Sequence, residues 1–232
     1  MEGKNEQVVG PMPFEHACRY LSNLITQSRA FIGGSKPYIG RLKTSYGYKK
    51  VIGIISFDHQ VRTRIDYDPF KGYHFNFENF TTGEKICIRI NDMSKEQFER
   101  YIDTLTKGRG PIETPKMPNF QYQLLDRESA KISKEEYSII NKITNELDRS
   151  KFVMDYYDEL LLLGDNFEIE LSYNEIKSIN RRRKNMNDKI LKDISLLVYY
   201  SYKIGIDLDL AELYDTYLNE NSLGDNYNRF RK

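Results

Sequence analysis

The 232-residue chain has no tryptophan, only two cysteines and only three histidines. Cys18 and Cys87 lie far apart and form no CxxC pair, so neither a disulfide framework nor a zinc site is indicated. No basic segment followed by an apolar run opens the sequence. The longest aliphatic run is Leu160–Leu163, far short of the roughly 18 residues of a membrane helix. We therefore expect a cytoplasmic protein with no signal peptide and no membrane contact.

Several catalytic and nucleotide-binding motifs are also missing from the sequence. It has no HExxH, no P-loop, no GxGxxG after a strand and no GxSxG, which argues against zinc proteases, nucleotide-binding folds and serine hydrolases. The acidic and histidine residues match no metal-ligand spacing. We therefore expect no cofactor and no bound metal.

The net charge of the chain is +1, but the charge is unevenly distributed. Residues 1–118 hold 18 Lys and Arg against 13 Asp and Glu, a net charge of +5, whereas residues 119–232 hold 17 against 21, a net charge of −4. All seven prolines lie at or before Pro118. This change in charge and in proline content predicts a domain at 1–110, a linker at 111–118 and a second domain at 119–232.

The first domain is predicted to be α+β. An amphipathic helix begins near Phe14 and is closed by Gly33 and Gly34. Four strands follow, an apolar one at Val51–Phe57, two that alternate within Arg62–Glu78, and one at Lys85–Ile90. A capping box at Ser94 starts a second helix. The prediction is therefore a helix, a four-stranded antiparallel sheet and a helix.

The second domain is predicted to be all α. Capping boxes begin at Ser133 and Ser172, and separate helices are expected at about 152–163, 186–203 and 210–218. The basic run Arg181–Lys184 would then follow a short helix. Four cations there indicate either a solvated helix C-terminus or, less strongly, a nucleic-acid patch. The many tyrosines of this half are typical of a core or an interface.

The segment Arg62–Glu78 carries the densest group of chemically useful side chains. Val61, Thr63, Ile65 and Tyr67 alternate with polar residues, and after a turn at Pro69–Gly72 the alternation resumes through Tyr73, Phe75 and Phe77. A turn of three or five residues would place polar residues opposite polar residues across the two strands. An ordinary solvated sheet face would show the same pattern, so that alternative stays open.

This polar side has the residue types that metal-free RNA cleavage requires. Such cleavage needs a base for the 2′-hydroxyl, an acid for the departing 5′-oxygen and cations for the charge that grows on phosphorus. The candidate acid and base are His74 and His59, with Glu78 as an alternative base. The catalytic candidates are His74, Arg64, Glu78 and His59, and the substrate-binding candidates are Arg62, Asp66, Lys71, Asn76 and Arg89. The aromatic residues of the hairpin would stack bases or, more simply, fill the core.

The hairpin resembles a known pattern. Its residues follow RxRxDYDPxKGxHxNxE, which is similar to C-terminal effector domains of bacterial polymorphic and contact-dependent toxins, over about residues 50–107. The resemblance implies a nuclease, and the order of helix and sheet is similar to the metal-independent ribonuclease group that includes barnase, the EndoU type and RelE. The positions that match the pattern are Arg62, Arg64, Asp66, Lys71, His74, Asn76 and Glu78.

Two functions follow as hypotheses. The first is a toxin-like, metal-independent ribonuclease acting on RNA, joined to a helical domain that regulates it or docks an inhibitor or partner protein. The second is a non-enzymatic interaction protein, immunity-like or a phage-derived adaptor, that keeps the same scaffold. The enzyme hypothesis expects His74 to be solvent-accessible in a concave surface near at least two of the arginines. The interaction hypothesis expects His74 to be flat or buried and the helices to carry a large apolar patch.

Overall fold

The computed structural model describes residues 6–108, 133–204, 208 and 210–218. The elements in chain order are β1 (Gln7–Met12), α1 (Phe14–Ser28), β2 (Ser35–Ile39), β3 (Val51–Ser56), β4 (Val61–Asp68), β5 (Gly72–Asn79), β6 (Glu84–Ile90), α2 (Lys95–Thr106), α3 (Lys134–Asp165), α4 (Tyr173–Lys203) and α5 (Leu210–Tyr217). The α+β class is confirmed. The predicted segment 111–118 lies outside the described residues.

The strands form one sheet in the order β1-β6-β5-β4-β3-β2. Five of the six are joined by antiparallel pairing, but β1 pairs with β6 in parallel. The four predicted strands, β3 to β6, pair antiparallel as expected, but the predicted strand count is wrong, because β1 and β2 extend the sheet to six strands and β1 makes it mixed. The missed strands are the two edges, which are short; β1 is mostly exposed, and β2 contains Pro37, which an edge strand tolerates.

One face of the sheet is the core of the α+β part. Phe75 of β5 lies against Phe14 of α1 and Tyr101 of α2, with ring centroids 5.9 and 6.1 Å apart, and Tyr73 lies 5.1 Å from Phe98. Residues of alternate positions, including Val61, Ile65, Phe77, Ile86 and Ile88, are buried on this face. Both α1 and α2 therefore cover the apolar side of the hairpin, as the alternation predicts.

The start of α2 confirms one predicted helix boundary, and the end of α1 corrects another. The capping box of Ser94 with Gln97 starts α2 as predicted. Helix α1 ends earlier than predicted, because Arg29 adopts the left-handed conformation (φ 54°) that ends the helix before Gly33.

Helices account for most of the described residues after 132. The capping boxes at Ser133 and Ser172 are both present, but α3 and α4 are long continuous helices of 32 and 31 residues, where separate shorter ones were predicted. Arg181–Lys184 therefore lies within α4 and not at a helix C-terminus, so the explanation by helix-end charge is wrong. The helical core is formed by Ile140, Leu147, Met154, Ile190, Ile194, Leu197, Leu213, Tyr217 and Leu218.

Contacts divide the described residues into two units. The first contains the residues up to 108 together with Leu162–Ile169, and Arg41 forms an ion pair with Glu168 inside it. The second contains the remaining helical residues. None of the helices in the described ranges is both long and apolar enough to cross a membrane.

Candidate functional site

Three neighbouring strands place nine side chains, most of them polar, on the sheet face opposite α1 and α2. Residues directly paired between neighbouring strands point to the same side of a sheet. The register gives three rows across β4, β5 and β6, which we call the polar face: Asp66–His74–Arg89, Arg64–Asn76–Cys87 and Arg62–Glu78–Lys85. The predicted juxtaposition of polar residues is confirmed.

The turn that sets this register has three residues, Pro69 to Lys71, between the paired Asp68 and Gly72. The Asp68 carboxylate accepts the backbone N–H of Phe70 at 2.8 Å and of Lys71 at 3.1 Å. These two bonds hold the pKa of Asp68 below its usual value. Gly72 has φ 72°, which glycine adopts without strain. Asp68 therefore builds the turn and is not part of the polar face.

Glu78 joins the two arginines of β4. Its Oε2 atom accepts from Arg62 Nε at 2.7 Å and from Arg64 Nη1 at 3.1 Å, and Arg62 Nη2 lies 2.5 Å away. The third guanidinium nitrogen of Arg62, Nη1, donates to the Tyr38 hydroxyl at 2.9 Å. A carboxylate held by two guanidinium groups is an acceptor of charge-assisted bonds, so Glu78 orients the arginines and is a poor candidate base.

Asp66 forms the second centre of this network. Its Oδ2 atom accepts from Arg64 Nε at 2.5 Å and from Asn76 Nδ2 at 2.7 Å. Burial acts to lower the pKa of Arg64, but the hydrogen bond to Asp66 and the charges of Asp66 and Glu78 outweigh it and raise that pKa. Arg64 is therefore a fixed cation in a half-buried position.

His74 lies between Asp66 and Arg89 in the first row and is only 4% exposed. Its Nδ1 lies 2.9 Å from the Gly72 carbonyl, so Nδ1 carries a proton in this contact and donates it. Nε2 is then the nitrogen available to another group. The ring is more buried than the enzyme hypothesis expects, although it is close to a cation and a carboxylate.

Arg89 and Lys71 supply the remaining positive charge near His74. Arg89 Nε donates to the Lys71 carbonyl at 3.1 Å, and no carboxylate in the described part of the chain pairs with its guanidinium. Lys71 forms an ion pair with Glu6, whose hydrogen bond raises the pKa of Lys71. Burial raises the pKa of the neighbouring Cys87 thiol, so Cys87 is a poor nucleophile. Arg89 is thus the arginine of the polar face with most of its donors free.

His59 does not join this cluster. It lies exposed in the β3–β4 turn with φ 59°. Asp66 is five residues along β4 from Val61, roughly 17 Å at the rise of a strand, and His59 lies beyond Val61. The structure therefore does not place the two histidines as an acid and base pair about one phosphate.

Two aromatic residues beside the polar face were missed by the sequence analysis. The Arg62 guanidinium lies 4.7 Å from the Tyr38 ring centroid and 5.2 Å from that of Phe80. Tyr38 is in the unrecognised strand β2, and Phe80 follows β5 in a turn. Only the pairing of β2 with β3 and of β3 with β4 brings Tyr38 near Arg62, and no local sequence signal indicates it. Of the aromatic residues proposed to stack bases, Phe75 and Phe77 are buried and Tyr67 is exposed.

The polar face does not gather a metal-ligand group. Across the described ranges, no three or more His, Cys, Asp or Glu side chains converge as a metal ion would require. Asp66 and Glu78 instead direct their oxygens at arginines.

A function for the chain has to be argued from this geometry, because comparisons with family models and with curated proteins suggest none. No protein-family model matches the chain, and no similar protein is found among curated ones. The resemblance of the hairpin to toxin effectors therefore stays a prediction.

Proposed function

We propose that the α+β unit is a toxin-effector-like ribonuclease that binds an RNA phosphodiester at the Asp66–His74–Arg89 row and cleaves it without a metal ion. The single observation that supports this is the position of His74, one strand from Asp66 and one strand from Arg89 on the same face. An imidazole with one open ring nitrogen beside a cation with free donors supplies two of the groups that such cleavage needs, the base and the positive charge.

In the proposed reaction, Nε2 of His74 accepts the proton of the 2′-hydroxyl. The 2′-oxygen then forms a bond to phosphorus while the bond from phosphorus to the 5′-oxygen breaks, and the 5′-oxygen takes a proton from water. The products are a 2′,3′-cyclic phosphate and a 5′-hydroxyl. Arg89 stabilises the negative charge on the phosphate oxygens, and Lys71 adds a second positive charge.

The remaining residues position these groups. Asp66 lies next to His74 and is itself held by Arg64 and Asn76. Glu78 holds Arg62 and Arg64 in place. His74 is only 4% exposed, so the proposed reaction requires that the substrate be reached by Nε2 alone.

The test uses the full chain with total RNA, with and without EDTA. We expect cleavage that resists EDTA, yields cyclic phosphate ends, is abolished in His74→Ala and is lowered roughly 100-fold or more in Arg89→Gln. Lys85→Gln is the matched control, because Lys85 is a cation on the same strand and face, two rows away. It should keep activity within about threefold, since surface substitutions have small effects.

The outcomes are readily separated when circular dichroism shows that each variant is folded. Unchanged cleavage in both His74→Ala and Arg89→Gln would contradict the proposed site, and loss of cleavage with EDTA would contradict the metal-free reaction. If Lys85→Gln lowers RNA cleavage as much as Arg89→Gln does, cleavage depends on the positive charge of the face and not on the position of Arg89.

A second candidate function is a non-enzymatic interaction protein, and the burial of His74 favours it. In that case the paired arginines and carboxylates are a structural network, and the helical part makes the contacts with a partner. A folded chain that cleaves no RNA under any of these conditions would support this candidate.

A further inference from the structure

The side of α4 that points away from its buried residues carries three cations close together. At 3.6 residues per turn, Lys177, Arg181 and Lys184 fall within an arc of about 60°, opposite the buried Ile179 and Ile190. All three are exposed, and no carboxylate of the described residues pairs with any of them. They are therefore free to meet an anion.

The four cations of the run Arg181–Lys184 differ in what they contact. Arg183 turns toward α3, where its Nε lies 2.5 Å from Asp158 Oδ1, and Arg182 lies near Tyr156, whose pKa is raised to about 12 by burial and by Tyr157, with Arg182 acting against that rise. Only Arg181 and Lys184 point outward with Lys177. Arg183 therefore pairs with α3, whereas no ion pair within the described residues gives Arg181 or Lys184 a structural role.

Three tyrosines extend the same side of α4 in both directions. Tyr173, Tyr199 and Tyr202 are 79%, 51% and 83% exposed. Lys203 Nζ lies 4.8 Å from the Tyr199 ring centroid. From Tyr173 to Tyr202 the helix rises about 44 Å. We call the six residues Tyr173, Lys177, Arg181, Lys184, Tyr199 and Tyr202 the outer row.

We propose that the outer row binds single-stranded nucleic acid, with the cations on phosphates and the tyrosines stacked on bases. The three free cations form one block, with the exposed ring of Tyr173 before it and those of Tyr199 and Tyr202 farther along the same side, and cations together with exposed aromatic rings are what such binding uses. The exposed residues between the members, Asn174, Asn180, Asn185, Asp188, Lys192 and Ser195, are polar, and Leu196 at the edge of this side is 39% exposed, so the row carries no extended apolar area of a protein interface. Asp188 offsets one positive charge and Lys192 adds one, which leaves a net charge of +3. This surface is separate from the proposed cleavage site and does not depend on it.

The test measures binding of the full chain to a labelled 16-nucleotide RNA with 2′-O-methyl groups, by fluorescence anisotropy at several salt concentrations. The methyl groups block the 2′-hydroxyl, so the result is independent of cleavage. In the variant Lys177→Gln, Arg181→Gln, Lys184→Gln, we expect the slope of log affinity against log salt to fall in magnitude by about 2, at roughly 0.7 per lost phosphate contact.

The matched control is Arg19→Gln, Lys95→Gln, Lys107→Gln, which removes the same charge from exposed positions at α1 and α2. It should keep the affinity within about twofold and leave the salt slope unchanged. Tyr173→Ala and Tyr202→Ala should each weaken binding roughly fivefold or more without changing the slope, because stacking carries no charge.

Three results would overturn the proposal. One is an equal loss of affinity in the two triple variants, which would mean that net charge alone attracts the RNA. Another is an unchanged salt slope in the α4 variant when circular dichroism shows it folded. The third is equally tight binding of a poly-glutamate peptide that the α4 substitutions also weaken, which would assign the row to an acidic protein segment.

Discussion

Replacing Glu78 by glutamine tests whether the ion pairs of the polar face stabilise the sheet. Glu78 Oε2 has two nitrogens of Arg62, at 2.5 and 2.7 Å, and one of Arg64, at 3.1 Å. The side chains of Glu78, Arg62 and Arg64 are 12%, 20% and 25% exposed. Glutamine has nearly the same shape but no charge, so the substitution leaves two guanidinium groups side by side without their shared counter-charge.

The size of the effect follows from these contacts. A hydrogen bond to a charged group contributes about 1.5–3 kcal/mol, and breaking a fully buried ion pair costs about 3–5 kcal/mol. Glutamine keeps one neutral acceptor, Arg64 keeps Asp66, and partial exposure to water lowers the cost. We therefore expect Glu78→Gln to lower the free energy of unfolding of the α+β unit by about 2–3 kcal/mol.

Hydrogen exchange by mass spectrometry, on peptides covering β4 and β5, is the suitable assay. A chain of two units need not unfold in a single step, so one melting temperature would not isolate this effect. A loss of 2–3 kcal/mol lowers the protection of these amides roughly 30- to 150-fold, at tenfold per 1.4 kcal/mol. Glu84→Gln, at an exposed position of β6, should change the free energy by less than about 0.5 kcal/mol. An equally small change in Glu78→Gln would refute the reasoning.

Two further predictions concern the same unit. Gly53→Ala should destabilise it by at least about 3 kcal/mol in the same exchange assay, because a Cβ there would lie 1.9 Å from the Thr63 carbonyl oxygen. Gly33→Ala, where a Cβ meets nothing within 4 Å, should change stability by less than about 1 kcal/mol, and equal effects of the two changes would contradict the close approach of β3 to β4. Asp103→Asn should cost at most about 1 kcal/mol at pH 7, since the Lys50–Asp103 pair is partly exposed. The hydrogen bond from Lys50 lowers the pKa of Asp103 below 3.8, so this contribution is present above that value and is lost as the pH falls through the lowered pKa. Denaturation of both proteins at pH 7 and in steps downward from about pH 5 checks it, and a difference that does not shrink as the pH falls below 3.8 would contradict it.

The hairpin shows how far the local pattern reaches. Alternation at period two and the turn residues Pro69 to Gly72 were enough to predict β4, β5, the three-residue turn option and the polar side, and the register confirms them. The fold class was predicted on the same basis. The edge strands were not, because β1 is mostly exposed and pairs with the distant β6, and β2 is only five residues long and contains Pro37.

The same limit applies to the candidate site. The pattern placed His74, Arg89 and the β4 arginines on one face, and the strand pairing brings them together. It could not show that His59 lies at the far end of β4, or that Tyr38 reaches Arg62 across an intervening strand. In α4, the capping box at Ser172 was predicted, but the length of the helix and the outward direction of Arg181 were not.

The sequence by itself determined which hairpin residues alternate, where the hairpin turns and where the helices with a capping box begin, because these depend on neighbours within a few residues. It therefore determined the composition of the polar face and the existence of its hairpin. Tertiary structure alone decided the sheet order, the burial of His74 and the pairing of Arg62 and Arg64 with Glu78. These depend on which strands meet, and that is decided by the packing of the whole unit and not by any single segment.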